Sequence, residues 1–242
     1  MSEFHYKEID SEGWETLDVI AGAAQFNAWM YQVIKPSCEG KILEIGSGIG
    51  NISAFFLNDN ADLTMSDIRP NYCEVLRKKF GHPEKIIQLD LTHPDFKVEY
   101  AAHLNLYDAV FALNVVEHIK EDKLAIHNCY ELLKPGGKLT ILVPAYQSLY
   151  NRFDKELEHY QRYSAATLTA IISSCHFDQV QSTYFNFVGI IGWYFSGKIQ
   201  GNKTIPKGQM SLYNKLVPLF KMIDKCVFNK IGLSVICTGV KS

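Results

Sequence analysis

The stretch Leu43-Glu44-Ile45-Gly46-Ser47-Gly48-Ile49-Gly50 constrains this chain more than any other. A β-rich run, Lys41 to Ile45, closes on three glycines at alternate positions, and a helical pattern follows from Ile49 to Leu57. Glycine lets backbone approach a ligand closely, so strand, loop and helix predict a ligand-binding unit; the plainer alternative is a glycine turn that binds nothing. A dinucleotide fold prefers Gly-x-Gly-x-x-Gly, but the third position here is Asn51. The triphosphate pattern Gly-x-x-x-x-Gly-Lys-Ser/Thr does not occur. Glu44, just ahead of the first glycine, would repel phosphate and suits a cationic or amine-bearing ligand.

This unit opens a series. Asp62 to Ser66 reads as a second strand ending at Asp67, and Lys85 to Leu89 as a third ending at Asp90. Tyr107 to Leu113 reads as the fourth and Lys138 to Val143 as the fifth. Between them, Asn71 to Phe80 and Ile119 to Leu133 carry apolar residues at helical spacing, the latter stopping at Lys134-Pro135-Gly136-Gly137. Near-continuous apolar strands alternating with helices predict an α/β fold, a parallel sheet covered on both faces. Ligands bind beyond the carboxyl ends of such strands. Ser164 is placed to cap a helix with the stripe Leu168, Ile171, Ile172 and Cys175. Phe177 to Phe185 and Leu233 to Val240 read as the sixth and seventh strands.

Basic and acidic residues nearly balance, 24 against 26, which excludes a broad electrostatic footprint for nucleic acid. The longest apolar run, Phe187 to Phe195, is nine residues with two glycines in it; a transmembrane helix needs about 20. The acidic first twenty residues lack a signal peptide's pattern, so a cytoplasmic protein is expected. The six cysteines lie far apart, with no zinc-knuckle or redox spacing, and are expected as reduced structural thiols. No metal is expected.

Five elements together resemble the class I S-adenosylmethionine-dependent methyltransferases: Leu43 to Gly50, Asp67, Asp90, Asn114-Val115-Val116-Glu117-His118, and Leu132 to Leu139 around Lys134-Pro135-Gly136-Gly137. The resemblance spans about residues 25 to 185. It implies a seven-stranded, mostly parallel Rossmann-like sheet with helices on both faces, an antiparallel last strand and a helical insert before it. It also implies S-adenosyl-L-methionine as cofactor. Gly46, Ser47 and Gly48 would pass beneath the methionine part, with Glu44 serving the loop and the positive ligand. Asp67 and Ile68 would meet the ribose, Asp90 and Leu91 the adenine, and Asn114 the cofactor's carboxylate or the backbone. Each aspartate has an alternative as a solvated helix cap. His118 is a candidate base or a structural residue.

The segment Asp154 to Ser164, with His159-Tyr160-Gln161-Arg162-Tyr163, resembles a methyltransferase subgroup with a His-x-x-Arg-Tyr-(Ser/Thr) segment. That subgroup often accompanies glycan or polyprenyl-lipid biosynthesis. The stretch Asn27-Ala28-Trp29 is similar to the group's N-terminal Asn-x-Trp helix, whereas Gln161 stands where relatives commonly have Arg. His159 and Tyr150 are candidate catalytic residues, and Trp29, Tyr146, Arg162 and Tyr163 candidate acceptor contacts; alternatively His159, Arg162 and Tyr163 anchor the loop.

The expected layout is one domain over 1–242: an N-terminal cap (1–36), a cofactor-binding core (37–185), a helical insert (186–230) and the last strand (231–242). The insert is either a lid over an apolar acceptor or a peripheral membrane contact, or else a helical pair packed on the sheet edge or a second subunit. The expected partner is a small-molecule or lipid- or glycan-linked acceptor, the chain being monomeric or homodimeric. The competing functions are a nicotinamide-dependent oxidoreductase and a non-catalytic, cofactor-binding regulatory protein.

Overall fold

The computed structural model describes residues 11–199 and 207–242. Helices α1 (Ser11–Ala21) and α2 (Ala24–Ile34) precede β1 (Lys41–Ile45). The alternation continues with α3 (Ser53–Asn58), β2 (Asp62–Asp67), α4 (Pro70–Phe80), β3 (Ile86–Gln88), α5 (Phe96–Glu99), β4 (Tyr107–Leu113), α6 (Asp122–Leu132) and β5 (Leu133–Pro144). The remainder comprises α7 (Arg152–Glu156), α8 (Ala165–Ser174), β6 (Phe177–Phe185), α9 (Phe187–Trp193), α10 (Lys207–Cys226) and β7 (Ser234–Lys241). One seven-stranded sheet runs β3-β2-β1-β4-β5-β7-β6. The first five strands pair in parallel, while β7 pairs antiparallel with both β5 and β6.

Successive strand residues point to opposite faces, and the sequence fills both. Leu43, Ile45, Val110, Ala112, Leu139, Ile141 and Val143 face α6 and α8, meeting Ile126, Cys129, Leu168 and Ile172. Their neighbours Ile42, Phe111, Leu142 and Ile236 face the other way, against Trp29, Met30 and Ile34 of α2, Phe56 of α3 and Val217 and Phe220 of α10. Burial on both faces is why these strands read as continuous apolar runs.

Local signals set the helix ends. Ser164 caps α8 in a reciprocal pair with Thr167. Pro70 begins α4, where a missing N–H costs nothing. Two expectations need correcting. The helix after the glycine loop starts at Ser53 rather than Ile49, because Gly50 N–H still closes a turn onto Ser47 O at 2.8 Å. The fifth strand starts at Leu133 rather than Lys138, so Lys134 to Gly137, which follow the end of α6 as expected, lie inside it. Tyr107 pairs with Leu133 and Ala109 with Lys138, so the extra residues bulge within the start of β5. The fully buried Leu133 pins that start, and Gly136, at φ 79°, permits the bulge.

Of the readings of the insert, packing on the core holds for the inner side of α10. Val217 and Phe220 are buried there, and Asn214 Oδ1 accepts from the Gln25 and Phe26 N–H groups at the start of α2 (2.9 and 3.1 Å). Asp224 accepts from the N–H groups of Asn186 and Phe187 (2.6 and 2.8 Å), fixing where α9 leaves β6. The outer side of α10 leaves Leu212, Leu216, Leu219 and Met222 exposed.

Gly232 leads into β7 against β6. A Cβ there would overlap the backbone of Phe185. Because backbone cannot rotate aside as a side chain can, Gly232→Ala is expected to cost about 3 kcal/mol, the upper end for overpacking. A urea midpoint within about 0.5 kcal/mol of wild type would contradict this.

Candidate active site

The strand order reverses between β1 and β4, and the crevice at such a point is where open α/β sheets bind ligands. The loops leaving these two strands touch. Gly46 sits at φ 69°, and a Cβ on it would overlap Val115 Cγ2 in the loop after β4. Both requirements demand glycine.

Two carboxylates lie under the glycine loop. Asp67, at the end of β2, is buried and accepts from the N–H groups of Gly48 and Arg69, each at 2.9 Å. Glu44 is buried on β1 and hydrogen-bonded by the Ser53 hydroxyl. Ser47 N–H donates to Ser66 O at 2.8 Å, and Ser66 Oγ to Glu44 O at 2.7 Å, tying β1 to β2. Burial, opposed by the serine hydrogen bonds and aided by nearby Asp67, pushes Glu44 up to about 7. Two carboxylates here disfavour a pyrophosphate and favour a ligand that brings positive charge.

Asp90 follows β3 and is buried; its Oδ1 accepts from the N–H (2.7 Å) and hydroxyl (2.8 Å) of Thr92. Tyr100 OH accepts from Asp90 N–H at 3.0 Å. Leu91 is buried, its carbonyl held by Asn128 Nδ2 at 2.8 Å. Ile68 is half-buried beside Asp67, and its carbonyl accepts from Gln88 Nε2 at 2.9 Å. Asn114, at φ 54°, is exposed at the end of β4. Glu44, Gly46, Ser47, Gly48, Asp67, Ile68, Asp90, Leu91 and Asn114 thus all stand at the carboxyl-end rim of β1 to β4. The sequence reading missed α1. Leu17 lies against Gly48, Asn51 Nδ2 donates to Leu17 O at 3.0 Å, and Trp14 stacks on Tyr72 at 5.8 Å.

A second group gathers behind the β4 loop. The rings of His118 and His159 meet edge to face, centroids 4.6 Å apart. His159 Nδ1 lies 2.9 Å from Asp154 Oδ1, which also accepts from Arg162 Nε at 2.7 Å. Arg162 Nη1 donates to Ala145 O at 3.1 Å, and its guanidinium lies 4.6 Å from the ring centre of Trp193. The His159 partner and the guanidinium hold the Asp154 carboxyl below the usual range against the opposing effect of its burial. Tyr150 donates its hydroxyl hydrogen to the carbonyl of His159 at 2.7 Å. His118 is open to solvent yet walled by protein, as a side chain at the foot of a cleft is; desolvation, His159 and Arg69 hold it down to about 3. Glu117 is fully buried and pushed up to about 7 by desolvation.

Two expected acceptor contacts lie elsewhere. Trp29 is buried in the core between α2 and the sheet, 4.4 Å from the Phe185 ring, so its indole packs rather than lines a pocket. Tyr163 is buried as well, its hydroxyl donating to Asp122 Oδ2 at 2.9 Å and accepting from Gln161 Nε2 at 3.0 Å. Gln161 serves this internal bond, its Nε2 donating to Asp122 Oδ2 at 2.8 Å as well. Arg162 is closed into its ion pair. Tyr146, at φ 61°, stacks on Tyr184 at 5.2 Å and is half-buried. Asp154 also escaped the sequence reading. The signal was Asn151 three residues before it, a capping pair that the structure forms.

The profile of a family described as "Methyltransferase domain" matches residues 43–139, from the glycine loop into β5. A ubiquinone biosynthesis O-methyltransferase from Pectobacterium atrosepticum is 25% identical over 136 residues, 54% of this chain and 56% of that protein. Its counterpart from Xanthomonas oryzae is 30% identical over 99 residues, 41% of each chain. The matched stretch thus spans about half the length of these curated relatives. Among solved structures, an S-adenosylmethionine-dependent methyltransferase from Thermotoga maritima superposes with a TM-score of 0.61 at 13% identity, covering 97% of this chain and 98% of that one. A phosphoethanolamine N-methyltransferase of Haemonchus contortus, in complex with phosphomonomethylethanolamine and S-adenosylhomocysteine, gives 0.59 at 17% identity, over 97% of this chain and 59% of that one. At such identities the likeness concerns the fold. Residues 43–139 match the model of a methyltransferase domain, and the sheet that carries them has the fold of the S-adenosylmethionine-dependent methyltransferase from Thermotoga maritima.

Proposed function

We propose that the protein transfers the methyl group of S-adenosylmethionine to a small-molecule or lipid- or glycan-linked acceptor, and that the acceptor enters between residues 146–163 and 186–230. The observation that carries the cofactor half is the glycine loop folded over buried Glu44 and Asp67. Supporting the acceptor half, the two segments meet where Phe153 and Trp193 pack at 4.9 Å and Arg162 stacks on Trp193. The exposed outer side of α10 fits an acceptor with an apolar body. The sulfonium is already an activated donor. The acceptor atom bonds the methyl carbon as the carbon–sulfur bond breaks, the electron pair stays on sulfur, and S-adenosylhomocysteine leaves. What the protein adds is alignment, which contributes several kcal/mol, with His159 as the candidate to take a proton; His118, held down to about 3, is too weak a base for that step.

Labelled methyl groups from S-adenosylmethionine should appear in a defined fraction of a cell extract, identifiable by mass spectrometry. Saturable cofactor binding with no labelled product in any fraction would make this a binding protein without turnover. Tight binding of a nicotinamide cofactor in its place would make it an oxidoreductase. Glu44 adds a sharper test. Its carboxyl is half-protonated near pH 7, and a cationic ligand favours the ionised form. Binding should therefore release a proton, and affinity should rise between about pH 6 and pH 8. Calorimetry at pH 7 in buffers of different ionisation enthalpy reads this release directly. Glu44→Gln should abolish the buffer dependence; a wild-type enthalpy independent of buffer would refute it.

A further inference from the structure

We propose that Glu117, His118 and His159 form a binding site for one divalent transition-metal ion, zinc being the best fit. The chain hides this set, since the two histidines are 41 residues apart and come from the β4 loop and the segment after α7. The fold brings one ligand atom from each residue to within 4.8 Å of the others. Tetrahedral zinc bonds of about 2.0–2.2 Å would place such atoms about 3.4 Å apart, so each side chain has roughly 1 Å to move.

Glu117 makes this more than a cluster. Its side chain is fully buried, and neither carboxylate oxygen has a hydrogen-bond partner among the described residues. A buried carboxylate is expensive unless a cation or donors meet it. The guanidinium of Arg162 bonds Asp154 and Ala145 through Nε and Nη1; its Nη2 makes no hydrogen bond among the described residues, so its charge acts on Glu117 without bonding either carboxylate oxygen.

Both imidazoles are prepared as ligands. His159 Nδ1 faces the Asp154 carboxylate, an acceptor, so Nδ1 carries the hydrogen and the neutral ring presents Nε2. The backbone of Leu157 faces the His118 ring and favours a hydrogen on the nitrogen beside it. Carboxylate–histidine–metal and carbonyl–histidine–metal relays orient ligands in this way in metal sites generally. Two imidazoles and a carboxylate are a donor set that zinc accepts with a coordination position left open. His118 is the solvent-accessible member, so the open position faces the cleft. On the acceptor placement proposed above, the ion would meet an acceptor offering an oxygen or nitrogen lone pair.

The test uses untagged, full-length protein stripped with EDTA and titrated with Zn²⁺ alone, without S-adenosylmethionine, so its outcome does not depend on methyl transfer. One ion per chain is expected, with affinity at least tenfold weaker in Glu117→Gln and in His159→Asn. Asp154→Asn, which removes the positioning partner of His159 and also neutralises the partner of Arg162, should weaken binding 10- to 100-fold in whatever fraction stays folded. Metal-free Glu117→Gln should melt above metal-free wild type, because it loses a buried carboxylate that has no hydrogen-bond partner, and zinc should raise the melting temperature of wild type alone. A measurement on wild type covers variants that fail to fold: zinc should shift the ring-nitrogen resonances of two of the eight histidines. Absence of stoichiometric binding, binding unchanged in Glu117→Gln or His159→Asn, or perturbation of other histidines would overturn the proposal.

Discussion

Asp67→Ala should weaken S-adenosylmethionine binding by roughly 100- to 1,000-fold. The buried carboxylate holds the N–H groups of Gly48 and Arg69 and so shapes the glycine loop, on which the proposed cofactor placement rests. Hydrogen bonds to a charged group contribute about 1.5–3 kcal/mol each, and about 1.4 kcal/mol is tenfold in affinity. Asp67→Asn keeps one acceptor oxygen and should fall between. Calorimetric titration decides, and an Asp67→Ala dissociation constant within threefold of wild type would remove Asp67 from the cofactor site.

Arg162→Met should give the largest loss of stability, about 3–5 kcal/mol. Both side chains of the Arg162–Asp154 pair are wholly buried, and removing one partner leaves the other charge uncompensated in the interior. The double variant Arg162→Met with Asp154→Asn should recover part of the loss, since the two residues share one network. The exposed Arg152–Glu156 pair is the internal control; breaking it should cost under about 1 kcal/mol. Urea midpoints at constant slope read all of these. Equal losses for the buried and exposed pairs would mean that Arg162 does not anchor the segment.

These two residues also mark where sequence reading works and where it stops. Asp67 was legible because its place is set locally: a strand ends there, 21 residues after Gly46, and parallel pairing of β2 with β1 brings it under the loop. β4 was legible for the same reason, as an apolar run bounded by polar turns. Arg162 and Trp29 were not. An aromatic or a cation in a polar segment reads alike whether it lines a cleft or closes an internal bond, and only tertiary packing separates the two. Asp154 lay among Lys155, Glu156 and Glu158, and nothing in that charge run distinguishes the one carboxylate that the fold buries. Glu117 carries no local signal of its surroundings either, because His159, its neighbour in space, comes from about forty residues further on.

The two outer strands of the sheet bear on how copies of this chain can meet. A free edge exposes unpaired N–H and C=O groups and invites another strand to add on. Here one edge, β3, is only three residues long. The other, β6, breaks register between Asp178 and Gln181 around Gln179 at φ 49°, and presents Asp178, Gln179, Gln181 and Ser182 to water. Neither offers the long, flat, apolar template on which fibrous polymerisation or sheet-to-sheet fusion propagates. Self-association through these edges is therefore disfavoured by construction, and a crowded solution of the folded chain should resist strand-driven aggregation.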